Sequence, residues 1–265
     1  MIEPVDFVVT CYEGTWRKVL APGFVSGLAE RQRWPFHRRL VLINNVDDLA
    51  SAREAAEARR EAGEIDLVVE VSERLDEALE ITGLSLEDLG RVAHYSTWAL
   101  VAVTLDGAPW MVHWDADADL VEPHDWVGPS IDRMQEDPSL LVANPAWSVE
   151  DAVAESETHG DGLAYGYGFS DQVFLVRRRE FARPIYREQH IESWRYPLAH
   201  IAPTFECRID AFMRNHQRYR LTSLTAEYRH HGPTGASYPH ATRRERWRRR
   251  WQRYRLDRYR RTASR

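Results

Sequence analysis

Short runs of β-branched and aromatic residues alternate with helix-forming stretches through the first half of the chain, and this alternation restricts the fold more than any other property of the sequence. Residues 5–11 (VDFVVTC), 39–45 (RLVLINN) and 65–71 (IDLVVEV) read as buried strands. An irregular helical segment broken at Pro22-Gly23 separates the first two, and an Ala/Glu/Arg-rich helix over 48–62 separates the next two. Helices over 72–81 and 96–106, the second stopped by Gly107, lead to an apolar run starting at Trp110. Such alternation builds a mostly parallel sheet with helices on both faces, and sheets of this kind take ligands at the C-terminal ends of their strands. The expectation is one α/β domain over residues 1–242 followed by a basic helix over 243–265.

The run at Trp110 ends in Asp115-Ala-Asp117-Ala-Asp119, a turn and Pro123. Carboxylates spaced two apart at that edge suit a hard divalent cation, Mn²⁺ or Mg²⁺, which takes oxygen ligands and keeps positions open for substrate phosphates. An EF-hand loop beginning at Asp115 fails, because its sixth position is Leu120 instead of Gly and its twelfth is Trp126 instead of Glu. A phosphatase of the Asp-x-Asp-x-Thr type fails because Asp119 stands at the Thr place. A solvated acidic turn is the bland alternative, and the preceding apolar strand favours the metal reading over it.

At 265 residues and 43% hydrophobic, the chain can bury a large core. Its two cysteines, Cys11 and Cys207, supply neither a disulfide framework nor a metal-site spacing. The first residues are acidic and the longest clean apolar run, 98–105, is far short of a membrane span, so the sequence is read as that of a cytoplasmic protein. The net charge of −6 conceals a division: residues 243–265 hold twelve Arg against Glu245 and Asp257, a net of +10, which leaves −16 on residues 1–242. Within that tail Trp247, Trp251 and Tyr254 share one helical face. Docking of the tail on the acidic body or on a second subunit, as a homodimer, is the first reading. Peripheral attachment to an anionic membrane is the second, and the acidic body argues against nucleic acid.

Beyond Pro123 the pattern gives a helix to about Gln135, a strand over 140–144, a long Ser/Glu/Gly/Tyr-rich segment over 145–170 read as a substrate-covering loop, and a strand over 172–177. A helix over 204–215 and a strand over 220–224 precede the tail. In that helix Phe205, Ile209, Phe212 and Met213 form the core face, which leaves Glu206 and Asp210 on a flank. Glu206 lies in the first turn, where the helix dipole favours the ionised carboxylate a general base must be. Asp171, in the step Ser170-Asp171-Gln172, is the runner-up. Trp147, Tyr165, Tyr167, Trp194 and Tyr196 make the second half rich in aromatic rings, which suit the apolar faces of sugars as well as a core.

Together, Val9-Thr10-Cys11-Tyr12-Glu13, the pair Asn44-Asn45, Asp115-Ala-Asp117 with Pro123, and Phe205-Glu206 through Tyr219 to His230-His231-Gly232 resemble the GT-A glycosyltransferases. In order and spacing they are similar to the large inverting family that includes cellulose and chitin synthases, over about residues 4 to 232. The resemblance implies a GT-A type nucleotide-binding sheet and metal-dependent transfer of a sugar from a nucleoside-diphosphate donor, UDP-linked in the first instance, to a hydroxyl of a carbohydrate-like or otherwise hydroxylated acceptor. It casts Thr10, Tyr12 and Glu13 as nucleotide-binding residues, Asn45 as the reader of the base and His94 as facing the diphosphate. Asp117 becomes the direct metal ligand, Asp115 a contact to ribose or to the metal shell, and His230 or His231, taken as His231, completes the site. Asn45 replaces an acidic residue of the family pattern, and Cys207 follows Glu206 where an Asp is usual, so Glu206 is read as the base after a one-residue shift. Two other classes stay open. A sugar-1-phosphate nucleotidyltransferase needs a Gly-rich first loop, whereas residues 10–18 hold only Gly14; a non-catalytic protein would bind through its basic tail.

Overall fold

Alternate side chains of the first strand enter two different cores. Val5, Phe7, Val9 and Cys11 pack on one face of the sheet with Trp110, Val112 and Trp114, while Val8 packs on the other with Leu40, Leu42, Met111 and Phe174. At roughly 1.5–3 kcal/mol for each large apolar side chain removed from water, these two layers are the main driving force of the fold. The computed structural model describes residues 3–232 and 238–263. Its strands are β1 (Val5–Cys11), β2 (Arg38–Ile43), β3 (Leu67–Glu70), β4 (Trp110–Asp115), β5 (Ala118–Leu120), β6 (Leu140–Ala146), β7 (Thr158–Gly160), β8 (Leu163–Gly166), β9 (Val173–Arg177) and β10 (Tyr219–His230).

They form one sheet in the order β3-β2-β1-β4-β9-β6-β10-β8-β7, with β5 added alongside β10. The strands β1 to β4 run parallel, and β6 and β10 point the same way, so the sheet is mostly parallel as expected. β5 and β8 run antiparallel to β10, and β9 lies antiparallel between β4 and β6. That reversal brings the start of β9 against the end of β4, where the Asp115 N–H donates to the Gln172 carbonyl at 2.8 Å. The helix His94–Thr104 is buried around most of its circumference, as its apolar composition requires, and packs in the second core with the helix Phe205–Asn215.

Segment 145–170 departs from the expected loop. It holds a short helix, Val149–Ala154, and the β7–β8 hairpin. Asp161 and Gly162 turn the hairpin with φ of 52° and 75°, the left-handed pair that an Asp-Gly step between strands favours. The strand expected over 220–224 continues to His230, because its second half finds partners in β5 and β6.

A buried ionic node ties the other end of the sheet. Asp6, with no exposure, accepts from Arg38 Nε and Nη2 at 3.1 and 2.7 Å, from Arg178 Nη2 at 3.1 Å and from the Ala108 N–H at 3.0 Å. Arg178 also donates to the Ala108 and Ala102 carbonyls, so β1, β2, β9 and the end of the His94–Thr104 helix share one anchor. Asp6→Ala strands the buried Arg178 and is expected to cost about 3–5 kcal/mol, read as a lowered midpoint of urea unfolding; a loss below about 1 kcal/mol would refute the anchor.

The tail forms the helix Arg243–Ala263, and the last two residues of the 243–265 segment lie outside the described residues. It docks on the chain's own body through buried Gln252 and Leu256, with Trp251 against Trp194 at 5.4 Å, Arg260 on Glu192 at 2.6 Å and Glu245 on Arg91 at 2.7 Å. The aromatic face singled out in the sequence docks only in part: Trp251 meets Trp194, while Trp247 and Tyr254 stay 67% and 58% exposed. No helix among the described residues is long and apolar enough to cross a membrane. The Arg91 guanidinium and the Thr242 backbone N–H hold Glu245 down to about 2, against 4.5 for an unpaired Glu. Docking is therefore fully supported above pH 4.5 and weakens as pH falls toward about 2, a window in which Trp fluorescence should report release of the tail. Glu245→Gln should make that transition shallower.

Candidate functional site

The parallel strands end level with one another. Thr10 of β1 pairs with Asp115 of β4 and with Leu42 of β2, so their C-terminal tips frame a single cavity of about 380 Å³. Thr10, Tyr12, Asn45, His94, Asp115 and Asp171 line it, which brings together six residues singled out from the sequence. Tyr12 keeps its ring over Gly14, where a Cβ would approach the ring to 2.7 Å, and so forms an aromatic wall. Asn45 has φ of 54°, a left-handed turn that Asn tolerates better than most residues. His94 rests on Tyr95 with ring centroids 4.2 Å apart, and burial lowers its pKa. Glu13 does not reach the cavity; its carboxylate accepts from the Asp47 N–H at 2.8 Å and pairs with Arg17, bracing the loop.

At the mouth of the cavity stand the residues expected to meet a cation. Burial opposes ionisation of Asp115, but the His230 imidazole and the Asp117 N–H outweigh it and hold the carboxyl below its usual range. His231 is corrected to His230 as the imidazole beside Asp115. His230 Nε2 lies 3.7 Å from Asp115 Oδ2, whereas His231 points to Asp119 at 3.5 Å. Strand alternation decides this, since β10 pairs His230 with Ala118 and sends the next side chain the other way. Asp117 is held by Lys18, whose Nζ lies 3.0 Å from its Oδ1 and 2.7 Å from the Ala116 carbonyl. Two carboxylates and an imidazole with a buried, unpartnered Nδ1 are a donor set that fits Mn²⁺ or Mg²⁺. Among the described residues no three such side chains are already converged on one point, because Asp117 is turned to Lys18.

Across Asp171 lies a second cavity of about 580 Å³, lined among others by Glu206, Trp147, Arg195, Tyr196 and Arg220. Asp171 and Glu206 form a coupled pair. Burial and the charge of Asp171 push Glu206 well above the usual carboxylate range, and burial with the charge of Asp115 raises Asp171 to about 6. Glu206 thus keeps its proton and donates it to Asp171, while one of its oxygens accepts from the Asp171 N–H at 3.1 Å. The ionised Glu206 expected from the helix dipole is corrected: half a unit of dipole charge does not offset burial beside a second carboxylate.

Other residues in or beside the site escaped the sequence reading. His113, in the middle of β4, is buried with Nε2 3.4 Å from Thr10 Oγ1, and burial lowers it to about 4, so it is neutral. A polar residue inside the run WMVHW was its signal. Lys18, the only lysine, was legible by rarity alone. Trp194 and Tyr167 belong to packing, against Trp251 and Tyr219 respectively, and Tyr165 bonds Arg133.

No family model matches the chain, and no curated protein matches it in sequence. Solved structures resemble it in shape. One is GalNAc-T7 with UDP, GalNAc and Mn²⁺, at 10% identity over 92% of this chain and 47% of that one, with a TM-score of 0.49. Another is S. aureus TarS 1–349, at 10% identity, 85% and 59% coverage and a TM-score of 0.43. A third is the mannosyltransferase PcManGT from Pyrobaculum calidifontis in complex with GDP-Man and Mn²⁺, at 16% identity, 68% and 46% coverage and a TM-score of 0.41. The chain spans less than two thirds of the length of each.

Any cation taken up by Asp117 must first displace Lys18. An exposed ion pair of this kind is worth about 0.2–1 kcal/mol, so Lys18→Met is expected to tighten Mn²⁺ binding by up to about fivefold, measured by the loss of the free Mn²⁺ electron paramagnetic resonance signal. Weaker binding in that variant would show that Lys18 supports the site instead of competing for it.

Proposed function

We propose that this chain is a glycosyltransferase of the GT-A type, which transfers a sugar from a nucleoside-diphosphate donor, UDP-linked in the first instance, to an acceptor hydroxyl in a metal-dependent reaction. The observation that carries this reading is that two cavities meet at one carboxylate, Asp171, at the ligand-binding edge of a mostly parallel sheet. The first cavity receives the donor. Tyr12 lies against the base, Asn45 offers an amide that both accepts and donates to it, and Thr10 and His94 flank the diphosphate. Mn²⁺ or Mg²⁺ held by Asp117, Asp115 and His230 would neutralise the leaving diphosphate.

The acceptor occupies the second cavity, between aromatic walls formed by Trp147 and Tyr196. Asp171, in contact with both cavities, takes the proton of the attacking hydroxyl in an inverting reaction. Glu206, already protonated, donates to Asp171 and holds it in place. This exchanges the roles first assigned from the sequence, where Glu206 is the base and Asp171 the runner-up. The buried thiols Cys11 and Cys207 suit a reducing cytoplasm.

Calorimetric titration with UDP and Mn²⁺ tests the reading at its root, and absence of any metal-dependent nucleoside-diphosphate binding would end it. Asp117→Asn should abolish that binding, His230→Ala should weaken it and His231→Ala should leave it unchanged. Asp171→Asn should spare donor binding and cut transfer by about 10²-fold or more. Since the ionised carboxylate is the base, transfer should rise with pH through about 6. Full transfer by Asp171→Asn would return the role to Glu206.

A further inference from the structure

Buried arginines in this fold find acceptors, with one exception. Arg178, Arg208 and Arg220 are each 6% exposed. Arg178 is satisfied by Asp6 and two carbonyls, and Arg208 by the carbonyls of Pro203, Tyr186 and Asp88. The Arg220 guanidinium makes no hydrogen bond and no ion pair among the described residues, and its Nε is buried without a partner. Its guanidinium lies over Trp147, 5.0 Å from the ring centroid, and faces the second cavity.

The backbone opposite is shaped to leave room for this group. Gly168 adopts φ of 127°, and a Cβ there would stand 3.2 Å from Arg220 Nη1 and 3.1 Å from Arg195 Nη2. Two guanidiniums therefore converge over a residue with no side chain. Arg195 is partly answered by Asp210 at 3.1 Å and by the Tyr196 hydroxyl at 3.3 Å, but Arg220 is answered by neither. Of the acids lining the same cavity, Asp171 and Glu206 bond each other, while Glu155 acts on Arg220 through its charge but forms no ion pair or hydrogen bond with it. Leaving a cation desolvated and unpaired is costly, and a site that persists in doing so is prepared for an anion that arrives with the ligand. The planar fork of Arg suits an oxyanion best.

We propose that the acceptor carries an oxyanion group, a carboxylate or a phosphate, which docks on Arg220 with Arg195 beside it and so presents the acceptor hydroxyl to Asp171. This rests on the glycosyltransferase reading for the word acceptor, but the anion site stands on Arg220, Arg195 and Gly168 alone. A nucleotide diphosphate is a poorer occupant, because the cavity that holds Tyr12 and Asn45 lies on the other side of Asp171.

The test uses the whole chain and the variants Arg220→Met and Arg220→Lys. Inorganic phosphate is titrated into the unliganded protein, and glucuronate, glucose 6-phosphate and glucose into the protein loaded with UDP and Mn²⁺. Phosphate is expected to bind wild type and raise its melting temperature, and to do neither with Arg220→Met. At least one of the two anionic sugars should bind ten times or more tightly than glucose. Which of them does so decides between carboxylate and phosphate. That preference should vanish in Arg220→Met, be partly kept in Arg220→Lys, and leave UDP affinity the same in all three proteins. Because Arg220→Met removes an unpaired buried charge, its unliganded melting temperature should equal or exceed that of wild type. Marked destabilisation, a loss of UDP affinity, or oxyanion binding that survives the substitution would each overturn the proposal. Failure of wild type to bind UDP, with Arg220-dependent phosphate binding intact, would instead overturn the glycosyltransferase reading and leave the anion site standing.

Discussion

The buried carboxylate of Asp6 is the constraint on which the rest of the sheet depends. It holds Arg38 at the start of β2 and Arg178 just past the end of β9, and through the carbonyls of Ala102 and Ala108 it reaches the segment before β4. Asp6 lies two residues before Val8 and four before Thr10 on the same side of the strand, so the register fixed at one end is delivered intact to the other. A slip by one residue would turn every core side chain outward and would also remove Thr10 from its place beside Asp115. The ionic node is thus a positional device for the site as well as an element of stability, and it places its buried charge at the end of the sheet opposite the strand tips that frame the first cavity.

The second constraint is the direction of β9. Had it run parallel like its neighbours, its first residues would lie at the far end, near Asp6. Running antiparallel, it brings Asp171 to the tips of β1 and β4, where Asp115 already sits. Three carboxylates in so small a volume cannot all ionise at equal cost. Asp115 has His230 and the Asp117 N–H to stabilise its charge and stays ionised. Glu206 has burial and a neighbouring anion, and keeps its proton. Asp171 falls between them, raised to about 6, the range in which the general base proposed above would have to lie.

Much of this architecture was legible in the sequence because it is written in local periodicity. The strands β1, β2 and β4 and the helix Phe205–Asn215 follow from apolar spacing, and the Asp115-x-Asp117 step marked the right edge of the sheet. What was not legible depends on pairing at long range. The reversal of β9 leaves no trace in its own composition, since VFLVR reads the same in either direction. The choice of His230 over His231 needed the register of β10 against β5, and the proton on Glu206 needed Asp171, 35 residues away, to be in contact with it. The hairpin within 145–170 is the different case. Its Asp161-Gly162 signal was present, and the surrounding Ser, Glu and Gly residues masked it as a loop.

The cations around the site fall into an order that the composition alone cannot show. Lys18 pairs with Asp117, Arg195 and Arg214 pair with Asp210, and the Arg220 guanidinium has no ion-pair contact among the described residues. An exposed lysine on Asp117 is cheap to displace, as weak surface pairs are, so that carboxylate can be released to another cation. Asp210 is gripped by two guanidiniums and by the Ser193 hydroxyl, which makes it part of the scaffold and unsuited to proton transfer despite lying one turn from Glu206. Charge is therefore balanced firmly where the fold needs rigidity, loosely where a metal would enter, and least at Arg220, which lies over Trp147 and meets Glu155 through its charge without a direct contact. Such a gradient is what a site needs when its own residues must stay in place while charged ligands come and go.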